Sequence, residues 1–147
     1  MGYMALTFDE ITLKFLDDVR ATKGSYLDAG AAFGSATLAA LKAGAKHIIA
    51  IDLNPDHISI LNSKITDTDK ARVKTVAGDF PDDLEIPPES LDGILIARLL
   101  HFFDGPKIQR TLKKVHTWLK PGAKAYIITV SPQVHELTKA RRIMKTR

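Results

Sequence analysis

The sequence predicts an α/β protein built on a doubly wound, mainly parallel sheet with helices on both faces. Helical and strand patterns alternate along the whole chain, which implies βαβ units on a parallel sheet. Three segments, Ile48-Ile49-Ala50-Ile51, Ile94-Leu95-Ile96-Ala97 and Tyr126-Ile127-Ile128, are almost continuously apolar. Strands covered by helices on both faces have that character, whereas a half-solvated strand alternates. The 147 residues are 45% apolar and 26% charged, with no internal repeat or linker. One globular domain over residues 1–147 is therefore expected.

Each element has its own signal. Thr7 to about Thr22 reads as a helix, with a Thr7/Glu10 capping-box pattern and Phe8, Ile11, Phe15 and Val19 at helical spacing. Ser25 to Ala29 reads as a short strand, followed by a Gly/Ala-rich turn. A helix is expected from Ser35 to Ala43, stopped by Gly44. His47 to Asp52 is the second strand. Asn54 caps the next helix, with Pro55 at its first position. Arg72 to Ala77 and Leu91 to Ala97 are the third and fourth strands. Asp104 caps a helix running to about Leu119, Lys120-Pro121-Gly122 turns, and Lys124 to Val130 is the fifth strand. Ser131-Pro132 then opens a helix with Val134, Leu137, Ala140 and Met144 on one face.

Composition removes several classes of chemistry. With no cysteine, disulfides, thiolate metal sites and cysteine nucleophiles are excluded. The five histidines are dispersed without metal-ligand spacing, so no metal site is expected. No apolar run reaches the roughly 18 residues of a membrane span, and the start of the chain lacks a signal-peptide pattern; a cytoplasmic protein is expected. The net charge of +4 is a mild excess, consistent with a solvated surface. Its densest stretch, Lys139, Arg141, Arg142, Lys145 and Arg147, has no interleaved aromatics, and nucleic acid is not the expected partner.

Ligands in such sheets bind beyond the carboxyl ends of the strands, where strand order reverses. The first strand opens into Asp28-Ala29-Gly30-Ala31-Ala32-Phe33-Gly34, whose small residues allow close backbone approach. The helix from Ser35 points its unpaired amides at the same space. The second strand ends in Asp52, spaced as the acid that holds a ribose diol; the alternative is a simple strand end or cap. The third ends in Gly78-Asp79-Phe80, where a carboxylate can accept from an adenine amino group and an aromatic can pack on the ring; the alternative is a cap and a core phenylalanine. Asp28, Asp52 and Asp79 converge on one edge of the sheet, which is more specific than any one of them.

These segments, in order, resemble class I S-adenosylmethionine-dependent methyltransferases. DAGAAFG is similar to the first motif of that family, HIIAID to the second and GDF to the third. LDGILIARLLHFF resembles its fourth strand and loop, and LKPGAKAYIITV its Lys-Pro turn and fifth strand. The resemblance covers Tyr26 to Val130 and implies a Rossmann-like methyltransferase core. Family members have seven strands, the last two a hairpin; five are counted here, so the domain is expected to be C-terminally incomplete, with a fifth-strand edge open to self-association.

The resemblance also implies roles. Gly30 and Gly34, with the backbone of Ala29 and Ala31, would line the methionine part of S-adenosylmethionine, and Asp28 would orient the loop or meet the amino group through water. Asp52 would bind the ribose hydroxyls and Leu53 would flank the adenine. Asp79, following Gly78, would take the adenine amino group, with Phe80 beside the ring. Ala97 and Arg98 would face the transferable methyl, and Arg98 would orient an acidic substrate or pair with Asp79 or another acid. His101 is the candidate general base, the alternative being a structural histidine packed beside Leu100, Phe102 and Phe103. Ala32 stands where the family carries a glycine, so a crowded loop is expected. The implied reaction is methyl transfer to a small molecule or protein side chain, leaving S-adenosylhomocysteine. A non-catalytic binding or assembly module is the alternative, an RNA methyltransferase a minor one. A nicotinamide oxidoreductase is disfavoured, because G-x-G-x-x-G is absent after the first strand.

Overall fold

The computed structural model describes residues 8–129. The helix expected after Pro132 and the basic stretch from Lys139 lie outside the described residues. Five strands form one parallel sheet: β1 (Ser25–Ala29), β2 (His47–Asp52), β3 (Val73–Ala77), β4 (Leu91–Ala97) and β5 (Leu119–Ile128), in the order β3-β2-β1-β4-β5. Four helices accompany them: α1 (Glu10–Thr22), α2 (Ser35–Ala43), α3 (Pro55–Lys64) and α4 (Gly105–Trp118). The chain winds outward from β1 to β3, returns to the other side of β1 as β4, and continues to β5. Strand order therefore reverses between β1 and β4, and the crevice above that pair is where ligands bind in open α/β sheets.

Alternation along the strands sorts side chains onto two faces. On one face Tyr26, Ile48 and Leu95 pack with Phe15, Leu16 and Val19 of α1 and with Ala40 and Leu41 of α2. The Phe15 ring meets Tyr26 and Tyr126 edge-on, at centroid distances of 5.7 and 5.8 Å. Ala50, Leu61 and Ile65 continue this layer under α3. On the other face Leu27, Ile51, Ile94 and Ile96 pack with Val115 and Trp118 of α4. No helix joins β3 to β4. The connection instead lays Phe80, Leu84 and Ile86 against the same core. Ile51, Ile94 and Ile96 have no exposed surface; burying each contributes about 2 kcal/mol.

The capping residues set most boundaries. Asn54 and Asp104 cap α3 and α4 as expected, accepting from the amides of Asp56 and Lys107. Gly44, at φ 108°, ends α2. The start of α1 differs from the Thr7/Glu10 expectation: its cap is Asp9, whose Oδ1 accepts from the Thr12 amide at 2.8 Å and whose Oδ2 accepts from the Thr12 hydroxyl at 3.1 Å. A carboxylate at that position satisfies two donors at once. Thr7 lies outside the described residues. β3 begins at Val73 because Arg72 closes a 3₁₀ turn and turns its guanidinium to the carbonyls of Leu41 and Ala45 at the end of α2. β5 begins at Leu119, earlier than Lys124, because Leu119 already pairs with Leu91; Lys120-Pro121-Gly122 is accommodated as an irregularity before Lys124 pairs with Gly93. β5 has no neighbour on its outer side among the described residues. No helix among them is long and apolar enough to cross a membrane.

Candidate functional site

The loop from β1 to α2 is held by its own backbone and by β2. The amides of Gly30 and Ala31 both donate to the Ile51 carbonyl, at 2.9 and 3.0 Å, and Gly34 donates to Ala31 at 2.8 Å. Gly30, Ala32 and Gly34 all have positive φ, at 80°, 50° and 86°. A Cβ on Gly30 would sit 2.6 Å from the Ala97 carbonyl oxygen, and one on Gly34 would collide with Leu61. Ala32 takes the left-handed conformation with its methyl in place, at a strain of about 1–2 kcal/mol. The loop thus alternates through left-handed residues with the Ala32 methyl in place. Gly34 offers no side chain to cap α2, so the amides of Ser35 and Ala36 are left for another acceptor, while the Thr37 amide faces Asp28.

Asp28 lies beneath this loop, 1% exposed, accepting from the Thr37 hydroxyl of α2 at 2.7 Å. Burial pushes its carboxyl up to about 6, against the Thr37 hydrogen bond, which lowers it. Asp52, at the end of β2, pins the loop: its Oδ2 accepts from the Ala32 amide at 2.8 Å. Its Oδ1 accepts from the Asn54 amide at 2.9 Å and lies 3.1 Å from Nδ1 of His57 on α3. The His57 ring in turn packs at a tilt against Phe33, centroids 4.7 Å apart. The Asp52 backbone carbonyl accepts from Gly78 at 3.0 Å, tying the second strand end to the third.

A cleft of about 240 Å³ opens over the β1/β4 switch point. Asp28, Gly30 and Ala31 line it from β1, Ala97 and Arg98 from β4, and Phe8, Asp9 and Thr12 from the α1 end. Arg98 has φ 57° and its amide donates to Ile128 at 2.7 Å; its guanidinium pairs loosely with Asp9 at 3.7 Å. The acid it meets is therefore Asp9, not Asp79.

The other expected residues, Ala29, Gly34, Asp52, Leu53, Gly78, Asp79, Phe80 and His101, do not line this cleft. Leu53 is 74% exposed beside Asp52. Asp79 is half-exposed, and Lys107 of α4 donates to both its carboxylate oxygens, at 2.8 and 3.1 Å. Ala29 is fully buried and offers only backbone. The Phe80 ring, expected beside adenine, is 4% exposed and packs 6.3 Å from Trp118, because it covers the sheet where no helix follows β3. His101 lies on the 3₁₀ turn after β4, exposed, with its ring 4.0 Å from that of Phe102. It does not line the cleft.

Sequence reasoning missed His57, Lys107, Thr37 and Asp9. His57 had a usable signal, five positions after Asp52 in the first turn of a capped helix. Lys107 had none, being 28 residues from Asp79.

Comparison with known proteins agrees with this geometry. A sequence model of the family described as "Methyltransferase domain" matches residues 27–122, from β1 into β5. An uncharacterized methyltransferase-like protein of Schizosaccharomyces pombe is 28% identical over 120 residues, 82% of this chain and 42% of that protein. Two solved structures superpose closely. The S-adenosylmethionine-dependent methyltransferase of Mesorhizobium loti is 25% identical, with a TM-score of 0.65 over 79% of this chain and 52% of its own. A "putative S-adenosylmethionine dependent methyltransferase" of Listeria monocytogenes is 23% identical, with a TM-score of 0.67 over 80% and 53%. The chain thus spans about half the length of these relatives. With a matched region that carries the glycine loop, Asp28, Asp52 and Asp79 on a β3-β2-β1-β4-β5 sheet, the chain belongs to the methyltransferase domain family.

Proposed function

We propose that this chain binds S-adenosylmethionine along the carboxyl edge of its sheet and serves methyl transfer to a small-molecule or protein acceptor. The observation that carries the reading is the convergence of Asp28, Asp52 and Asp79, from three successive strand ends, around a loop of alternating left-handed residues. The donor set suits the ligand. Uncapped first-turn amides of α2 and the Arg98 guanidinium suit a carboxylate, and Asp28 and Asp9 suit an ammonium. Asp52 suits a diol and Asp79 an exocyclic amino group.

The cofactor supplies a methyl group made electrophilic by its sulfonium. The chain's residues position and enclose. Asp52 holds the β1 loop through Ala32 and, on this reading, the ribose through its remaining lone pairs. His57 shares Oδ1 and must yield or share when a diol arrives. Gly30 lets the loop lie against Ala97, where the loop and the end of β4 would together hold the methionyl end. Orientation of this kind can account for up to about 7–11 kcal/mol of barrier reduction. His101 is the proposed base, from the β4 loop, for an acceptor that carries a proton.

A second reading, a non-catalytic binding module, is favoured by one observation: His101 packs against Phe102 outside the cleft. Thermal unfolding with saturating S-adenosylhomocysteine tests the site common to both. At 100 times Kd, binding stabilises the fold by about 2.7 kcal/mol. A rise in Tm with this ligand and none with NAD is expected; an unchanged Tm would refute a cofactor site of either kind.

A further inference from the structure

We infer that Lys107 is a positioning residue for base recognition: it holds the Asp79 carboxylate ready to read an exocyclic amino group. The inference rests on the cofactor reading above. Asp79 stands at the end of β3, and Lys107 at the start of α4, beyond β4. Their ion pair therefore ties the start of the β3–β4 connection to the first turn of α4. The ammonium bonds both carboxylate oxygens, at 2.8 and 3.1 Å, and lies 4.3 Å from the centre of the Phe103 ring. It is thus clamped between a carboxylate and an aromatic face, and its side chain is 22% exposed against 44% for Asp79.

The Asp79 main chain is fixed as well. Its amide donates to Asp83 Oδ2 at 2.7 Å, and the Asp83 amide donates back to the Asp79 carbonyl at 2.9 Å. Backbone and side chain are both set before a ligand arrives. A carboxylate has about four acceptor positions, of which Lys107 occupies two, so two are left for a base. An acceptor-only group so held favours a purine that presents an amino group. Holding it before binding removes the ordering penalty that a free carboxylate side chain would incur.

The test is calorimetry on the 147-residue chain and its Lys107→Met and Lys107→Arg variants, with two probes. One is S-adenosylhomocysteine; the other is its analogue with an unsubstituted purine, which lacks the amino group. Lys107→Met is expected to weaken S-adenosylhomocysteine about three- to tenfold and to leave the purine analogue within about twofold. Lys107→Arg, which can pair with the carboxylate through two donors, is expected to recover most of the loss. Equal weakening of both probes would mean that Lys107 only supports the fold. Unchanged or tighter S-adenosylhomocysteine binding in Lys107→Met would show that the lysine is idle or competes with the base. Either result overturns the inference while the cofactor reading stands. Failure of the unaltered chain to bind S-adenosylhomocysteine would instead remove that reading and the inference with it.

Discussion

Replacing Asp28 by asparagine should make the protein more stable at neutral pH and less able to hold its ligand. Asp28 is buried under the β1 loop, with the Thr37 hydroxyl and the Thr37 amide as its donors. Desolvation lifts its carboxyl from an ordinary 3.8 to about 6. At 1.36 kcal/mol per pH unit this is about 3 kcal/mol against the folded state once the group is ionised. The sign follows from proton counting. Between pH 3.8 and about 6 the folded chain holds a proton that the unfolded chain has released, so stability falls as pH rises through that window and is level above it. The substituted side chain carries no charge, and its amide carbonyl can still accept from Thr37. An amide donor left without an acceptor offsets about 1 kcal/mol, leaving a net gain of about 2 kcal/mol at pH 7.5.

Urea unfolding reads this out through Trp118, the only tryptophan, which is 5% exposed. The gap between Asp28→Asn and the parent should widen by about 1 kcal/mol from pH 5 to pH 7.5. A gap that does not change with pH, or a variant less stable than the parent at pH 7.5, would refute the argument. Retention of a destabilising carboxylate is expected where function requires it. The same variant should bind S-adenosylhomocysteine more weakly, since Asp28 lines the cleft.

Two further substitutions probe the loop above it. Ala32→Gly removes a left-handed strain of about 1–2 kcal/mol and adds unfolded-chain entropy of about 0.5–1 kcal/mol; the urea midpoint should rise by the equivalent of about 0.5 kcal/mol. Gly34→Ala places a methyl against Leu61 at φ 86°, and a loss of about 3 kcal/mol in the same assay is expected.

Much of the fold is legible in the sequence because local signals and tertiary context agree. β1, β2 and β4 have the expected ends, since each apolar run is closed by a turn or a charged residue and buried on both faces. Asn54-Pro55 and Asp104 mark helix starts for a local reason, side-chain acceptors for first-turn amides. Each departure has a physical cause. At α1, Thr7 and Asp9 are both good caps by residue type, and the choice depends on where the helix meets the sheet. At β5, Leu119 joins the sheet because Leu91 lies opposite, which no local pattern records. Phe80 is a core ring and not a surface one because the absence of a helix between β3 and β4 makes that connection part of the core.

The site divides the same way. Asp28, Asp52 and Asp79 can be placed from sequence because parallel strands bring their ends to one edge. Their partners cannot. The Thr37, His57 and Lys107 contacts span 9, 5 and 28 residues and depend on how helices dock on the sheet. Those partners decide the chemistry of the acids: Thr37 is the side-chain donor to a buried carboxylate, His57 shares the proposed diol acceptor, and Lys107 fixes the third acid.

Calorimetric titration of the chain and of Asp52→Ala with S-adenosylmethionine, S-adenosylhomocysteine and NAD tests the central claim most directly. Micromolar binding of both adenosyl ligands, lost in Asp52→Ala and absent for NAD, is the predicted result. A folded chain that binds neither adenosyl ligand, or a variant that binds them as well as the parent, would contradict the assignment of this sheet edge as the cofactor site.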